Sequence, residues 1–488
     1  MKKRKLALLL TVAMIISMFP FNAFATEFSD MPDDWSTKAL ENAVVNGLLK
    51  GDDGKIMPKE NLTRAQMATI VNRAFGTTEK SSIDDFTDVK KDDWYYDEMA
   101  KAVQMKTFIG SGDKLYPNNN ITREESFVVL ARAFKLSGAN NNVLDKFSDK
   151  NLVSDWARDS VSSLVVAGYI SGSNGQVNPK QNITRQEFAQ MMDNLIKNYI
   201  NTEGTYTTDY SGNLMINVAN VTLKGLTITG DLIIGDGVGN GTVTLDGVTV
   251  TGRTVVRGGG ENSIRIIGNS NIQNIIIARV DGVVRVYSED GTEIGEVIVD
   301  GSDDIIIEGT FGTVTLLASN VTVTATDATV ESATVEGEDS KIVVEENSTI
   351  NTITVTGQGT TIEGKGKVES VEANANDITV NTPGTSVTAG EGTTGVTLGG
   401  NPVQPGETVI DDTPVPEGGI GTGGGSSSSG SSRVAVSAIS VTGVAKVGET
   451  LTAKVTPDKA TVNYEWMRSE SENEGYAPIN DATDSTYE

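Results

Sequence analysis

The chain has 488 residues, with 65 Asp and Glu against 39 Lys and Arg, and neither histidine nor cysteine. A formal net charge of −26 argues against nucleic acid as a partner, because phosphate backbones are held by basic surfaces. The missing cysteines exclude disulfides, and the missing histidines remove the usual zinc ligand and the usual general base at neutral pH.

Residues 1–25 read as a secretory signal peptide. Lys2-Lys3-Arg4-Lys5 is the basic region, Leu6 to Phe19 is mostly apolar, and Ala23-Phe24-Ala25 is an A-x-A site with cleavage after Ala25. The apolar run is too short for a membrane span, and no later segment is a transmembrane candidate. A large exported chain without disulfides is held together by its buried cores.

One segment then recurs three times: Leu62-Thr63-Arg64-Ala65-Gln66, Ile121-Thr122-Arg123-Glu124-Glu125 and Ile183-Thr184-Arg185-Gln186-Glu187. Trp35, Trp94 and Trp156 each precede the arginine of their copy by 29 residues, and the copies step by 59 and 62 residues. Each copy opens with Phe-x-Asp: Phe28/Asp30, Phe86/Asp88 and Phe147/Asp149. Such a period signals a repeated unit that builds a shared surface. Thr followed three residues later by Glu or Gln is a capping box, so each motif starts a helix with its arginine at the first position. A cation there opposes the helix dipole by roughly 0.3–1 kcal/mol, so its recurrence needs a reason. A helix N-terminus with an arginine fork suits a carboxylate or phosphate. The alternative is that each arginine pairs with an acid of a neighbouring repeat.

Residues 28–76, 86–136 and 147–200 resemble three consecutive S-layer homology (SLH) domains. The matching elements are Phe-x-Asp, the tryptophan, the [Ile/Leu]-Thr-Arg-x-[Glu/Gln] helix start, and a proline shortly before it (Pro58, Pro117, Pro179). A Gly-x-x-x-Gly stretch completes the set at Gly47–Gly51 and Gly168–Gly172, with Lys106 replacing the first glycine in the Lys106–Gly110 copy. Gln66 stands where the family often has Glu. The resemblance covers about a third of the chain and implies a pseudo-trimer whose inter-repeat grooves bind secondary cell-wall polysaccharide, often one ending in a pyruvate ketal. It also implies a secreted protein at the bacterial cell wall or S-layer, with possible self-assembly and no cofactor. The residues expected to bind the polysaccharide are Arg64, Arg123, Arg185, Trp35, Trp94, Trp156, Asp30, Asp88 and Asp149. The tryptophans either stack on sugars or fill the core between repeats; the aspartates either meet sugar hydroxyls or cap the first helix of each repeat. The sequons Asn61-Leu62-Thr63, Asn120-Ile121-Thr122 and Asn182-Ile183-Thr184 are better explained by capping threonines than by glycosylation.

After Ile200 the helical periodicity ends. Residues 205–400 are rich in Thr, Val, Ile, Gly, Asn and Asp, in short alternating segments. Val221-Thr222-Leu223, Val243-Thr244-Leu245, Ile264-Arg265-Ile266, Val284-Arg285-Val286 and Ile305-Ile306-Ile307 start 22, 21, 20 and 21 residues apart, and the series continues at Val321, Ile342, Ile362 and Ile378. The period predicts a right-handed parallel β-helix, one coil per repeat, with a β-sandwich as the alternative. Some β-helices are polysaccharide lyases or hydrolases, which need paired carboxylates about 5–10 Å apart or a metal. Asp231, Asp236, Asp246 and the Asp303-Asp304 pair are candidates, but none recurs on one face across coils, and the sequence defines no metal site.

Residues 401–433 read as a linker, first Pro-containing and then nearly all Gly and Ser. Gly419-Ile420-Gly421-Thr422-Gly423-Gly424 formally matches a dinucleotide fingerprint but follows no strand. Residues 434–488, with Tyr464-Glu465-Trp466, resemble part of a bacterial immunoglobulin-like domain; about 55 residues is short for such a sandwich, so either the domain is unusually short or, as expected here, the sequence is truncated at Glu488. The sequence as a whole predicts a non-catalytic wall-anchored protein with a β-helical stalk or display region. A wall-anchored polysaccharide-degrading enzyme and a lattice-forming S-layer subunit are the alternatives.

Overall fold

The computed structural model describes residues 28–289 and 291–411, with the short segments 438–442, 451–456, 467–468, 477–479 and 486–487. The signal peptide, the Gly/Ser stretch and the fingerprint-like glycines lie outside the described residues. The chain divides into two compact units, residues 1–418 and 419–488.

Three helix pairs open the first unit: Thr37–Val45 with Arg64–Phe75, Tyr96–Gln104 with Arg123–Ala133, and Arg158–Val166 with Arg185–Leu195. The second helix of each pair starts where the sequence places it. Thr63, Thr122 and Thr184 accept hydrogen bonds from the amides of Gln66, Glu125 and Glu187, and all three capping boxes are complete. The residues just before these caps close a ring. Leu62 N donates to Ile183 O, Ile121 N to Leu62 O, and Ile183 N to Ile121 O, at 3.0–3.1 Å. All three side chains are fully buried, so the pseudo-threefold axis runs through an apolar plug.

Two sequence motifs meet inside each repeat. A Cβ on Gly51, Gly110 or Gly172 would strike the ring of Phe28, Phe86 or Phe147, so the last glycine of each Gly-x-x-x-Gly stretch exists to seat the Phe-x-Asp phenylalanine. At the first position of that stretch Gly47 and Gly168 have φ of 71° and 78°, and Lys106 adopts a similar φ of 58°. Nothing lies within 4 Å of a Cβ at either glycine, so the lysine costs backbone strain and no clash.

From Asn198 onward the chain winds as a parallel β-solenoid of about ten turns. The face predicted from Val221, Val243 and their successors is present, with Val221 opposite Val243, Leu223 opposite Leu245, Val284 opposite Ile305 and Ile342 opposite Ile362. Asn220, Asn320, Asp339 and Asp377 turn the corner before their coils with φ of 51–60°, a conformation these short polar residues tolerate. A second face stacks Ile200, Ile216, Ile234, Val256, Ile277, Val299, Leu316, Val335, Val355, Ala373 and Ala389 inward in register. A short third face pairs Thr227–Ile228, Thr249–Val250 and Asn271–Ile272.

The expected linker starts later than residue 401. Asn401–Pro402 and Thr408–Ile410 fold back antiparallel on Thr397–Leu398 and Ser386–Ala389 and cover the last open edge. An unpaired coil edge is a template for association, and this turn-back occupies it.

The helical trimer lies against the flank of the solenoid. On the second face the outward row reads Tyr199, Met215, Ile233, Val255, Ile276, Ile298, then Thr315, Thr334, Thr354, Glu372 and Thr388. Met215, Ile233 and Val255 are fully buried and belong to the helical core, not the solenoid's. Polar contacts surround this seam. Asn217 Nδ2 donates to Ala74 O at 2.7 Å, and Lys135 pairs with Asp300 at 2.9 Å. Arg257, 3% exposed, lies over Phe75 and pairs with Asp236 at 2.8 Å.

In the second unit Ala438–Thr442 pairs antiparallel with Leu451–Thr456, which pairs with Thr486–Tyr487. These strands alone do not define the immunoglobulin-like arrangement expected for residues 434–488.

Candidate functional site

The three arginines lie at the junctions between repeats, each seated on the loop of the next. Arg64 Nε donates to Leu115 O at 2.9 Å, Arg123 Nε to Val177 O at 2.9 Å, and Arg185 Nε to Ile56 O at 2.8 Å. The aspartates grip the same loops from the other side. Asp30 accepts from the amides of Ile56 and Met57, Asp88 from those of Leu115 and Tyr116, and Asp149 from those of Val177 and Asn178. Met57, Tyr116 and Asn178 have φ of 53–55°, a strained conformation for a side-chain-bearing residue. Phe-x-Asp and Thr-Arg are therefore two halves of one clamp: the aspartate of a repeat holds the amides, and the arginine of the preceding repeat holds the carbonyl. The aspartates do not cap the first helices, and both oxygens of each carboxylate already accept backbone hydrogens. For Asp30, burial opposes ionisation, but the amides of Ile56 and Met57 outweigh it and hold the carboxyl below its ordinary value.

The helix N-termini are also occupied. Arg64 N and Ala65 N donate to Asn119 O and Pro117 O, Arg123 N and Glu124 N to Gln181 O and Pro179 O, and Arg185 N and Gln186 N to Glu60 O and Pro58 O. The anion-receiving helix end expected from the sequence is thus closed by carbonyls of the adjacent repeat. Only the guanidinium groups remain for an anion.

Two of these groups have an internal counter-ion. Arg64 Nη1 is 3.0 Å from Glu125, and Arg123 Nη1 is 2.9 Å from Glu187, in each case the capping-box glutamate of the next repeat. Arg185 would find Gln66 at that place. Its Nη2 instead donates to Lys50 O at 3.1 Å, and among the described residues it forms no ion pair. Burial pushes all three guanidinium groups down from their ordinary value; Glu125 offsets this for Arg64 and Glu187 for Arg123. For Arg185 the offset comes from Asp30, which has counterparts in Asp88 and Asp149 at the other two sites.

Beside Arg64 a groove of about 490 Å³ opens between repeats. Arg64, Glu125, Arg132, Ile109, Tyr116 and Trp156 line it, so all three repeats contribute. Trp35, Trp94 and Trp156 are 58%, 63% and 60% exposed, which places them outside the core. Sequence reading missed Arg132 and its equivalents. The ninth residue after each motif arginine is Arg73, Arg132 or Asn194, and these donate to Leu48 O, Thr107 O and Tyr169 O respectively. Aligning the repeats one helix further would have found them. Of the solenoid acids, Asp231 pairs with Arg253, Asp236 with Arg257 and Asp246 with Lys224. Burial pushes the Asp303 carboxyl up from its ordinary value. No cluster of three metal-ligating side chains occurs among the described residues, and none of their helices is long and apolar enough to cross a membrane.

The family model of the S-layer homology domain matches residues 27–68, 85–125 and 146–189. The chain is 34% identical over 196 residues to the surface-layer 125 kDa protein of Lysinibacillus sphaericus, covering 38% of this chain and 16% of that protein. It is 30% identical over 175 residues to an amylopullulanase of Thermoanaerobacterium thermosulfurigenes, covering 35% and 9%. It is 29% identical over 195 residues to the S-layer protein sap of Bacillus anthracis, covering 39% and 24%. The chain thus spans less than a quarter of the length of each of these relatives. Its N-terminal part carries three S-layer homology domains, the kind that anchors proteins to the cell wall, and proteins built this way stand at the bacterial cell surface.

Proposed function

We propose that the helical trimer binds an acidic secondary cell-wall polysaccharide, one bearing pyruvate ketals, in its inter-repeat grooves and holds the solenoid at the wall as a stalk or display surface. The observation that carries this reading is the groove beside Arg64. The half-buried guanidinium of Arg64 faces it, Arg132 adds a second cation, and the exposed indole of Trp156 forms its wall. Cations meet the ketal carboxylate, and an aromatic face packs on the apolar side of a sugar ring. Asp30, Asp88 and Asp149 serve by holding the loops that shape the grooves. The solenoid is read as non-catalytic because Asp231, Asp236 and Asp246 are committed to ion pairs. The strands after residue 438 are read as part of an immunoglobulin-like module.

The test is sedimentation of the full chain with purified sacculi, with and without their secondary polysaccharide. Binding that requires the polysaccharide and falls in Trp35→Ala, Trp94→Ala and Trp156→Ala supports the reading. These indoles are exposed, so the variants keep their fold. Equal binding to stripped sacculi refutes it. Calcium-dependent ordered sheets formed by the purified protein would instead favour a lattice subunit.

A further inference from the structure

The three junctions between repeats share one plan but differ in charge, and the difference rests on two positions per junction. At the Arg64 groove the partners are Glu125 and Arg132, and at the Arg123 groove they are Glu187 and Asn194. At the Arg185 groove the corresponding residues are Gln66 and Arg73. Counting the motif arginine and these two positions, the first junction has two cations and a carboxylate, the second one cation and a carboxylate, and the third two cations and an uncharged amide. Arg185 is also buried, 7% exposed, and none of the ion pairs among the described residues includes it. Asp30 offsets part of the cost of burying Arg185 but forms no ion pair with it, and an incoming anion relieves the remainder. In the other two grooves an anion must compete with a glutamate already 3.0 or 2.9 Å from the guanidinium.

We infer that the groove between the third and first repeats, built on Arg185 and Arg73, is the principal carboxylate-binding groove, and that Gln66 makes it so. The inference rests on the anchoring reading above and adds which groove acts and why. The ligand group is a carboxylate on a glycan, such as a pyruvate ketal. Trp94 stands in the second repeat where Trp156 stands in the third, so the pseudo-threefold that brings Trp156 to the Arg64 groove makes Trp94, an exposed indole, its counterpart at Arg185 and Arg73. Gln66 keeps the cap, since its Oε1 accepts from Thr63 N at 3.1 Å, while withholding the charge that Glu125 and Glu187 carry.

Isothermal titration of the full chain with purified pyruvate-bearing wall polysaccharide, and with the same polymer after mild acid has removed its ketals, tests the inference. Gln66→Glu is the decisive variant. It installs the residue that the second and third repeats already use, so it folds, and its melting temperature rises as Arg185 gains a partner. Its affinity for the intact polymer falls roughly tenfold or more, the scale of one charge-assisted contact. Removing the ketals lowers wild-type affinity to the same level. The converse variant, Glu125→Gln, frees Arg64 and tightens binding. Unchanged affinity in Gln66→Glu, with normal wild-type binding, overturns the ranking of the grooves and leaves the anchoring reading intact. Equal wild-type affinity for both polymers overturns the carboxylate as the recognised group. No wild-type binding to either polymer overturns both readings together.

Discussion

Arg253, in the solenoid, donates from Nη1 to the carbonyl of Lys135, in the helical domain, at 2.7 Å while its Nη2 holds Asp231. That bond lies beside an apolar seam in which Met215, Ile233 and Val255 point out of the solenoid and into the helical core. The helical domain and the first solenoid coils are therefore one folded body, which fixes the direction of the solenoid relative to the helical trimer.

The seam predicts a position-dependent cost on one row of the solenoid. Ile233→Asp buries an unpaired charge and should cost about 3 kcal/mol or more. Thr334→Asp, in the same row beyond the helical domain, should change stability by no more than about 0.5 kcal/mol. Denaturation midpoints followed by circular dichroism compare the two directly; equal losses would refute the seam.

The internal counter-ions predict an asymmetry between repeats. Glu125→Ala removes a capping contact and strands Arg64, and should cost on the order of 2 kcal/mol. Gln66→Ala removes only the cap and should cost about 1 kcal/mol. Melting curves of the two variants decide this, and identical shifts would show that the ion pair adds nothing.

Acid sensitivity follows from Asp30, whose carboxyl lies below its ordinary value because the Ile56 and Met57 amides outweigh the effect of burial. A carboxyl depressed in the folded state contributes stability that is fully present above its unfolded value, near pH 4, and is lost as pH falls through the folded value. Asp30→Asn should be less stable than wild type at neutral pH and lose less on acidification. Melting temperatures from pH 6 down to pH 2 test the sign; parallel curves would contradict it.

The turn-back at the end of the solenoid predicts a change in association. Ending the chain after Gly400 exposes the edges of Thr397–Leu398 and Ser386–Ala389. The shortened protein should elute as larger species in size-exclusion chromatography at concentrations where the full chain does not. Identical elution would mean that this edge is inert.

Much of the architecture could be read directly from residue order. Thr63–Gln66, Thr122–Glu125 and Thr184–Glu187 announce their helices because a capping box closes within four residues. The solenoid declares itself because Val, Ile and Leu must return to the same inward row in every coil. The outward row carried a further signal, Met215, Ile233 and Val255 giving way to Thr315, Thr334 and Thr354, which becomes legible only once the register is known. What the tertiary structure decided is who faces whom. Arg64 meets Glu125 across 61 residues and Arg123 meets Glu187 across 64, and no local rule specifies contacts that depend on three repeats closing a ring. The same closure fills the helix N-termini with carbonyls of the adjacent repeat and turns Asp30, Asp88 and Asp149 inward onto loop amides. Sequence determined the parts and their caps, because those hydrogen bonds are local. Packing determined which of the three arginines forms no ion pair among the described residues, because a buried charge is balanced by whatever the fold brings beside it.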